Sequence, residues 1–337
     1  MSKAAILSNA TFVYPVKFYL SGFSDVPHVQ YFLYLPVFCL YIYMTVLGNG
    51  LLLSVIYLVN TLHTPKYMIV FNLALTDLCW STALIPKLLD TFLFDSRYIV
   101  YEACLSYMFF VWFFLGVQSW TLVIMAYDRC IAICFPLMYH SIVTKPAIVE
   151  MLLFVWVFIS CLITCMVGFL NCLFFCGSVV IKSFFCDHGP TFHLACNDNS
   201  VNYITALVII TTVSFPPILI ALTYICIAIA LSRIASGQEG LKALKTCTSH
   251  LIIVAIFFLP VIATNMAVLR FSPPHQEGEG EPRIINPILA HTIPTLHNPI
   301  IYSLRTEEVL NSIRKLCKPI RMNDTTLSKK VTSVSPH

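Results

Sequence analysis

Residues 104–127 read CLSYMFFVWFFLGVQSWTLVIMAY, an unbroken run without a charged side chain. About 20 apolar residues in helical form cross roughly 30 Å of hydrocarbon, so this stretch is long enough to span a membrane. Working outward, six more stretches of similar character occur, at roughly 31–59, 67–92, 147–170, 202–231, 247–269 and 284–303. Apolar and polar residues do not alternate at strand period in them, and helices satisfy their own backbone groups in lipid. The reading is an all-α membrane protein, a seven-transmembrane helix bundle. Composition agrees, since the 337 residues are 58% hydrophobic and 11% charged, against roughly a quarter charged in soluble domains. No segment is left for a separate soluble core. The formal charge of +4 is not gathered into a basic stripe, so nucleic acid is excluded as a partner. Met1 to Asp25 lacks a clean apolar core with a small-residue cleavage site, so the first span is expected to start insertion itself.

Seven spans put the termini on opposite sides. With the C-terminus inside, thirteen of the 20 Lys and Arg residues are cytoplasmic, among them Lys66, Arg129, Lys145, Arg233, Lys242 and Lys245. That bias predicts an extracellular N-terminus over 1–30, the bundle over 31–303 and a cytoplasmic tail over 304–337. The sequon at Asn9, Ala10 and Thr11 then lies outside, where glycosylation is possible, while a second at Asn323 falls inside. In the tail, Thr306 to Lys318 is too polar to span. Val309, Leu310, Ile313, Leu316 and Cys317 share one helical face, acids lead and bases follow, as in a short amphipathic helix lying on the inner leaflet. Cys317 reads as a palmitoylation site or as an unmodified interfacial thiol.

The loop from Asn171 to Val201 holds Cys176, Cys186 and Cys196, and Cys104 opens the third span on the same face. Outside the cell these are expected to be bridged; four cysteines allow three pairings, and spacing does not choose. Asp77 sits mid-span in LALTDL, where a carboxylate costs several kcal/mol unless it faces the bundle interior or water. It reads as a functional residue or as a protonated acid among polar neighbours, with Asn49 and Asn298 available to share its network. Asp128 and Arg129 end the third span, and by themselves read equally as an interfacial snorkelling pair.

The residues around that pair change its reading. Met125 to Cys134 reads MAYDRCIAIC, with Pro136, Leu137 and Tyr139 after it. Gly48, Asn49 and Gly50 stand in the first span, LHTPKYM from Leu62 in the first inner loop, KALKTCTSHL from Lys242, and NPIIY from Asn298 to Tyr302. Over nearly its whole length the chain resembles a rhodopsin-like G-protein-coupled receptor, more narrowly an odorant receptor. Leu259 with Pro260, and Cys186, Asp187 and His188, resemble its class I, fish-like branch. Cys130 stands where the family usually has Tyr and Phe258 where Tyr is common. An acidic insert, Glu277 to Glu281, occupies the third outer loop.

The resemblance implies a plasma-membrane receptor that binds a small-molecule odorant within the bundle and activates a heterotrimeric G protein of the olfactory stimulatory, cAMP-raising type. It implies bridges Cys104–Cys186 and Cys176–Cys196, a sodium ion held with help from Asp77, and an Arg129 held by Asp128 at rest and released into the G-protein crevice. Asn298, Pro299 and Tyr302 complete that switch. Pro260 and Pro299 give the sixth and seventh spans a place to bend. No cofactor, metal centre or catalytic residue is implied, and membrane lipid is a further partner.

Counting back from Arg129 along one face reaches Ser119, Leu115, Trp112 or Val111, and Met108; Phe258, Val261, Ile262 and Asn265, then Ile288, His291 and Thr292, should face it. Such a stripe serves equally as packed core. Arg270 reads as a headgroup anchor, as a partner of the acidic insert, or as the basic residue with which class I receptors receive a carboxylate. The rivals are a receptor for a non-odorant ligand, a transporter, for which matching halves are missing, and an intramembrane enzyme, for which HExxH and GxSxG are missing.

Overall fold

The computed structural model describes residues 15–21, 28–94, 96–176, 179–181, 183, 185–233, 238–270, 309–310 and 312, with backbone alone at 28–42, 84–86, 88–89, 91–93, 238–243, 245–246 and 263–270. Strand β1 (Lys17–Leu20) leads into α1 (His28–Leu58), α2 (Pro65–Phe94), β2 (Tyr98–Val100) and α3 (Tyr101–Cys134). A short α4 (Tyr139–Ile142) precedes α5 (Lys145–Leu170). Then come β3 (Val180–Ile181), α6 (His188–Phe192), α7 (Ser200–Ser214), α8 (Pro216–Arg233) and α9 (Gln238–Arg270). The first six expected spans are therefore helical; 284–303, with Ile288, His291, Thr292, Asn298, Pro299 and Tyr302, lies outside the described residues, as do Asn9, the acidic insert and most of the tail.

By length and composition α3, α5 and the pair α7–α8 are able to cross a membrane, with shorter apolar helical stretches at Tyr43–Leu58 and Cys247–Ile262 among the described residues. α5 shows how the chain sorts its faces. Ile148, Ile159, Ile163 and Met166 are buried, while Leu153, Phe154 and Val157 point outward at about 60% exposure or more, a face suited to lipid rather than water. α3 is the central post, packed against α2, α5, α7, α8 and α9. Its contact with α5 is close enough that a Cβ added to Gly116 would stand 2.9 Å from Cγ2 of Ile159, so only glycine fits there without displacing a neighbour.

Two features depart from the sequence reading. The fifth span is two helices, because Pro216 and Pro217 bring no N–H and cannot donate to the carbonyls one turn back. And the end of the bundle where α3 begins carries a three-stranded sheet in the order β2–β1–β3, with Phe18 opposite Ile99 and Tyr19 opposite Val180. Phe18 and Leu20 are fully buried beneath it, and Phe18 meets the rings of Tyr101 and Phe175. Strands of two to four residues are too short for alternation to register in sequence.

Candidate functional site

The outer half of the site is built on α3. Met108, Val111, Leu115 and Ser119 are all buried, being spaced three to four residues apart and so lying on one face. Cys104, at the top of that face, is bridged to Cys186, with Cα atoms 5.5 Å apart, and Cys176 is bridged to Cys196 at 5.9 Å; both separations suit disulfides. The first bridge draws the outer loop over α3, so that Trp112 Nε1 donates to Asp187 Oδ1 at 3.3 Å. The same oxygen accepts from the His188 N–H at 2.8 Å and caps α6. Burial raises the Asp187 carboxyl above the usual range, opposed by these two donors, and burial pushes His188 down to about 4, opposed by Asn202. Burial thus works against the charged form of both groups in this lid.

Across from α3, Phe258 and Val261 are buried and the rings of Phe257 and Phe258 meet edge to face. Ile262, grouped with them in the sequence reading, is 41% exposed and lies on an outward stripe with Leu251 and Leu259, so it leaves the candidate pocket. The Ser119 reading also changes. Its hydroxyl donates to the Val213 carbonyl at 3.1 Å, the very group that Pro217 leaves without an N–H donor. Ser119 thus mends the break between α7 and α8 and does not offer its proton to a ligand. Asn265 and Arg270 lie on the last turns of α9, and their side chains are outside the description.

Midway down, Asp77 is fully buried and accepts from Gln118 Nε2 at 2.7 Å. Beside it Asn72 donates to Thr121 at 2.9 Å and accepts from Trp156 Nε1 at 2.8 Å, so three helices are joined through one amide. Sequence reasoning does not single out Gln118, Asn72 or Trp156. The available signal is an amide or indole in an otherwise apolar run, the same signal that picks out Asp77.

The inner half is a latch. Asp128 is fully buried; its Oδ1 accepts from the Tyr139 hydroxyl at 2.8 Å, and its Oδ2 has, among the described residues, only the Arg129 guanidinium, at 3.6 Å. Arg129 also acts electrostatically on Tyr224, Cys247 and His250, and Tyr224 and His250 are joined at 2.7 Å with stacked rings. α8 and α9 thus meet beside α3, whose last turns carry Asp128 with its α4 partner Tyr139. Cys130 packs its thiol 3.8 Å from Cys134.

Among the described residues, a helical bundle centred on α3 is capped at its disulfide-bearing end and carries the Asp128–Arg129 pair at the other. The fold matches the crystal structure of squid rhodopsin with a TM-score of 0.69 at 18% identity, covering 98% of each chain. The olfactory receptor family model matches residues 38–318. The chain is similar to human olfactory receptor 51F2, at 34% identity over 91% of this chain and 89% of the relative. Mouse olfactory receptor 8G17 is 35% identical over 89% and 96%, and human olfactory receptor 1M1 33% identical over 95% and 97%. The chain belongs to the olfactory receptor family. It is accordingly a multi-pass plasma-membrane receptor for small odorants that couples to G proteins, and not an enzyme.

Proposed function

We propose that a small odorant binds beneath the lid, between Met108, Val111, Trp112 and Leu115 on α3 and Phe258 and Val261 on α9, and shifts the bundle toward a packing in which Arg129 leaves Asp128. The observation that carries this reading is the Asp128 latch: a buried carboxylate with one hydrogen bond and one looser ion pair is a contact that a few kcal/mol of differential ligand affinity can open. The partner in this reading is the olfactory stimulatory G protein. The N-terminus faces outward, with Asn9 glycosylated, an orientation supported by the Lys and Arg bias. Asp77 with the Gln118 Oε1 offers the oxygen donors a sodium ion takes, and Asn298, Pro299 and Tyr302 act with Arg129 in the switch. His291, Asn265 and Arg270 complete the ligand set, Arg270 taking the carboxylate of a water-soluble acid, as the class I resemblance implies.

The test is a cAMP reporter in cells given a panel of carboxylic acids, amino acids, aldehydes and amines. A response in the parent chain that disappears in Arg129→Ala at equal surface expression is expected. Survival of the response in that variant would refute the role given to Arg129. A panel active only through neutral or cationic odorants would remove the carboxylate role from Arg270.

A further inference from the structure

Away from the proposed odorant site and the latch, a groove of about 500 Å3 opens on the flank of the bundle between α1, α2 and α5, within the range of about 300–1,000 Å3 that small-ligand sites occupy. Its walls are Met68, Phe71, Leu75 and Leu152, and its rim carries His63 and Lys145. At its base Asn72 spends its amide on Thr121 and Trp156, so the polar group that reaches the groove is already committed. The slot is apolar within and basic at one end.

The placement of the basic end is specific. Lys145, Leu152 and Trp156 are seven and four residues apart and share one stripe of α5. Lys145 stands in the first turn, where the helix dipole disfavours a cation, so its charge does not serve the helix. Neither α2 nor α5 has an acid in its first turn, and Lys66 adds a second cation over the Tyr67 ring, 4.9 Å from its centre. Glu150, the next acid along α5, is five residues from Lys145 and so about 140° around the helix. His63 pairs its Nε2 with the Tyr57 carbonyl at 3.2 Å.

We propose that this groove holds an anionic phospholipid of the inner leaflet, its headgroup between Lys145 and His63 and one acyl chain along Met68, Phe71 and Leu75. Charge at the rim and apolar walls below occur in the order in which such a lipid carries them. A free phosphate has no use for the walls, and a sterol hydroxyl, being neutral, gains less from the lysine than an anionic headgroup does. The proposal rests on the outward N-terminus, which puts the rim at the cytoplasmic headgroups, where anionic lipids are concentrated.

The full chain, purified in detergent, is offered dioleoyl phosphatidylserine, dioleoyl phosphatidylcholine or glycerophosphoserine, and retained lipid is read by native mass spectrometry. Phosphatidylserine should be retained over phosphatidylcholine, and Lys145→Gln should cut that preference about fivefold, the weight of one lysine against an anionic lipid. Met68→Trp, which fills the slot, should reduce retention of both lipids. Equal retention of the two lipids by the parent chain, a preference unmoved by Lys145→Gln, or displacement by glycerophosphoserine as effective as by the lipid would each overturn it. Orientation is read separately by the glycosidase shift of the parent chain: a shift lost in Asn9→Gln supports the outward N-terminus, and a shift kept in Asn9→Gln but lost in Asn323→Gln refutes it and the leaflet assignment, while the retention results stand or fall alone.

Discussion

The two ends of α3 are held by different chemistry. Its outer end is bonded covalently to the loop through Cys104 and Cys186, strengthened by the Trp112–Asp187 hydrogen bond, and covered by the sheet that buries Phe18. At its other end Asp128 accepts one hydrogen bond, from Tyr139 of α4, and pairs with its chain neighbour Arg129 at 3.6 Å. A covalent link has one geometry over the lifetime of the receptor, whereas a hydrogen bond to a charged group is worth only about 1.5–3 kcal/mol, less than ligand binding can supply. The outer end is therefore a fixed reference, and the inner end is where a population shift can be spent.

Breaking the outer end should have the largest consequence. The Cys104–Cys186 bridge closes a separation of 82 residues, for which chain entropy gives about 4–5 kcal/mol. Cys104→Ser is expected to abolish surface expression, measured by antibody against an N-terminal tag. Cys176→Ser, which opens a separation of only 20 worth about 3 kcal/mol, should leave part of it.

Acid should loosen the lid next. His188, ordinarily near 6.5, is pushed down to about 4 by burial, so between those values the unfolded chain binds more protons. The stability this group contributes is whole above pH 6.5 and is lost as pH falls toward 4, up to about 3 kcal/mol. Asp187, raised by burial, works in the opposite sense and offsets part of it. Melting temperatures of purified receptor at pH 7.5 and 5 should therefore differ more for the parent than for His188→Gln; equal differences would remove His188 from the account.

At the inner end, Tyr139→Phe removes the only hydrogen bond to Asp128 among the described residues. A bond to a charged acceptor is worth about 1.5–3 kcal/mol, so basal cAMP should rise about tenfold at equal surface expression. Unchanged basal output would show that the latch is not what holds the resting state. The smallest effect is expected at Ser119→Ala, which leaves the Val213 carbonyl without its donor at a cost of about 1–2 kcal/mol. It should lower the melting temperature without shifting odorant rank order, whereas a changed rank order would return Ser119 to the ligand.

Legibility tracks how local each signal is. Spans, Asp77 and the Asp128–Arg129 pair are written in contiguous composition, because lipid penalises charge wherever it stands. The Met108, Val111, Leu115 and Ser119 stripe follows from helical period alone. Ile262 falls outside the pocket that its period suggests, because the period gives relative angles and not which angle faces the partner helix. The role of Ser119 is hidden in sequence because the event that claims it, a pair of prolines in another span, is 97 residues away.

By itself the sequence determined a membrane bundle, its first six helical spans, the acidic and basic groups able to act in it, and its family. Those properties come from transfer free energy and backbone hydrogen bonding, which act residue by residue. Only the tertiary structure decided that Gln118 meets Asp77, that Tyr139 holds Asp128, that Asp187 caps the lid against Trp112, and that Lys145 overlooks an apolar groove. Each of these joins groups far apart in the chain, and which pairs meet is set by how helices rotate and approach when they pack, an outcome that no local pattern encodes.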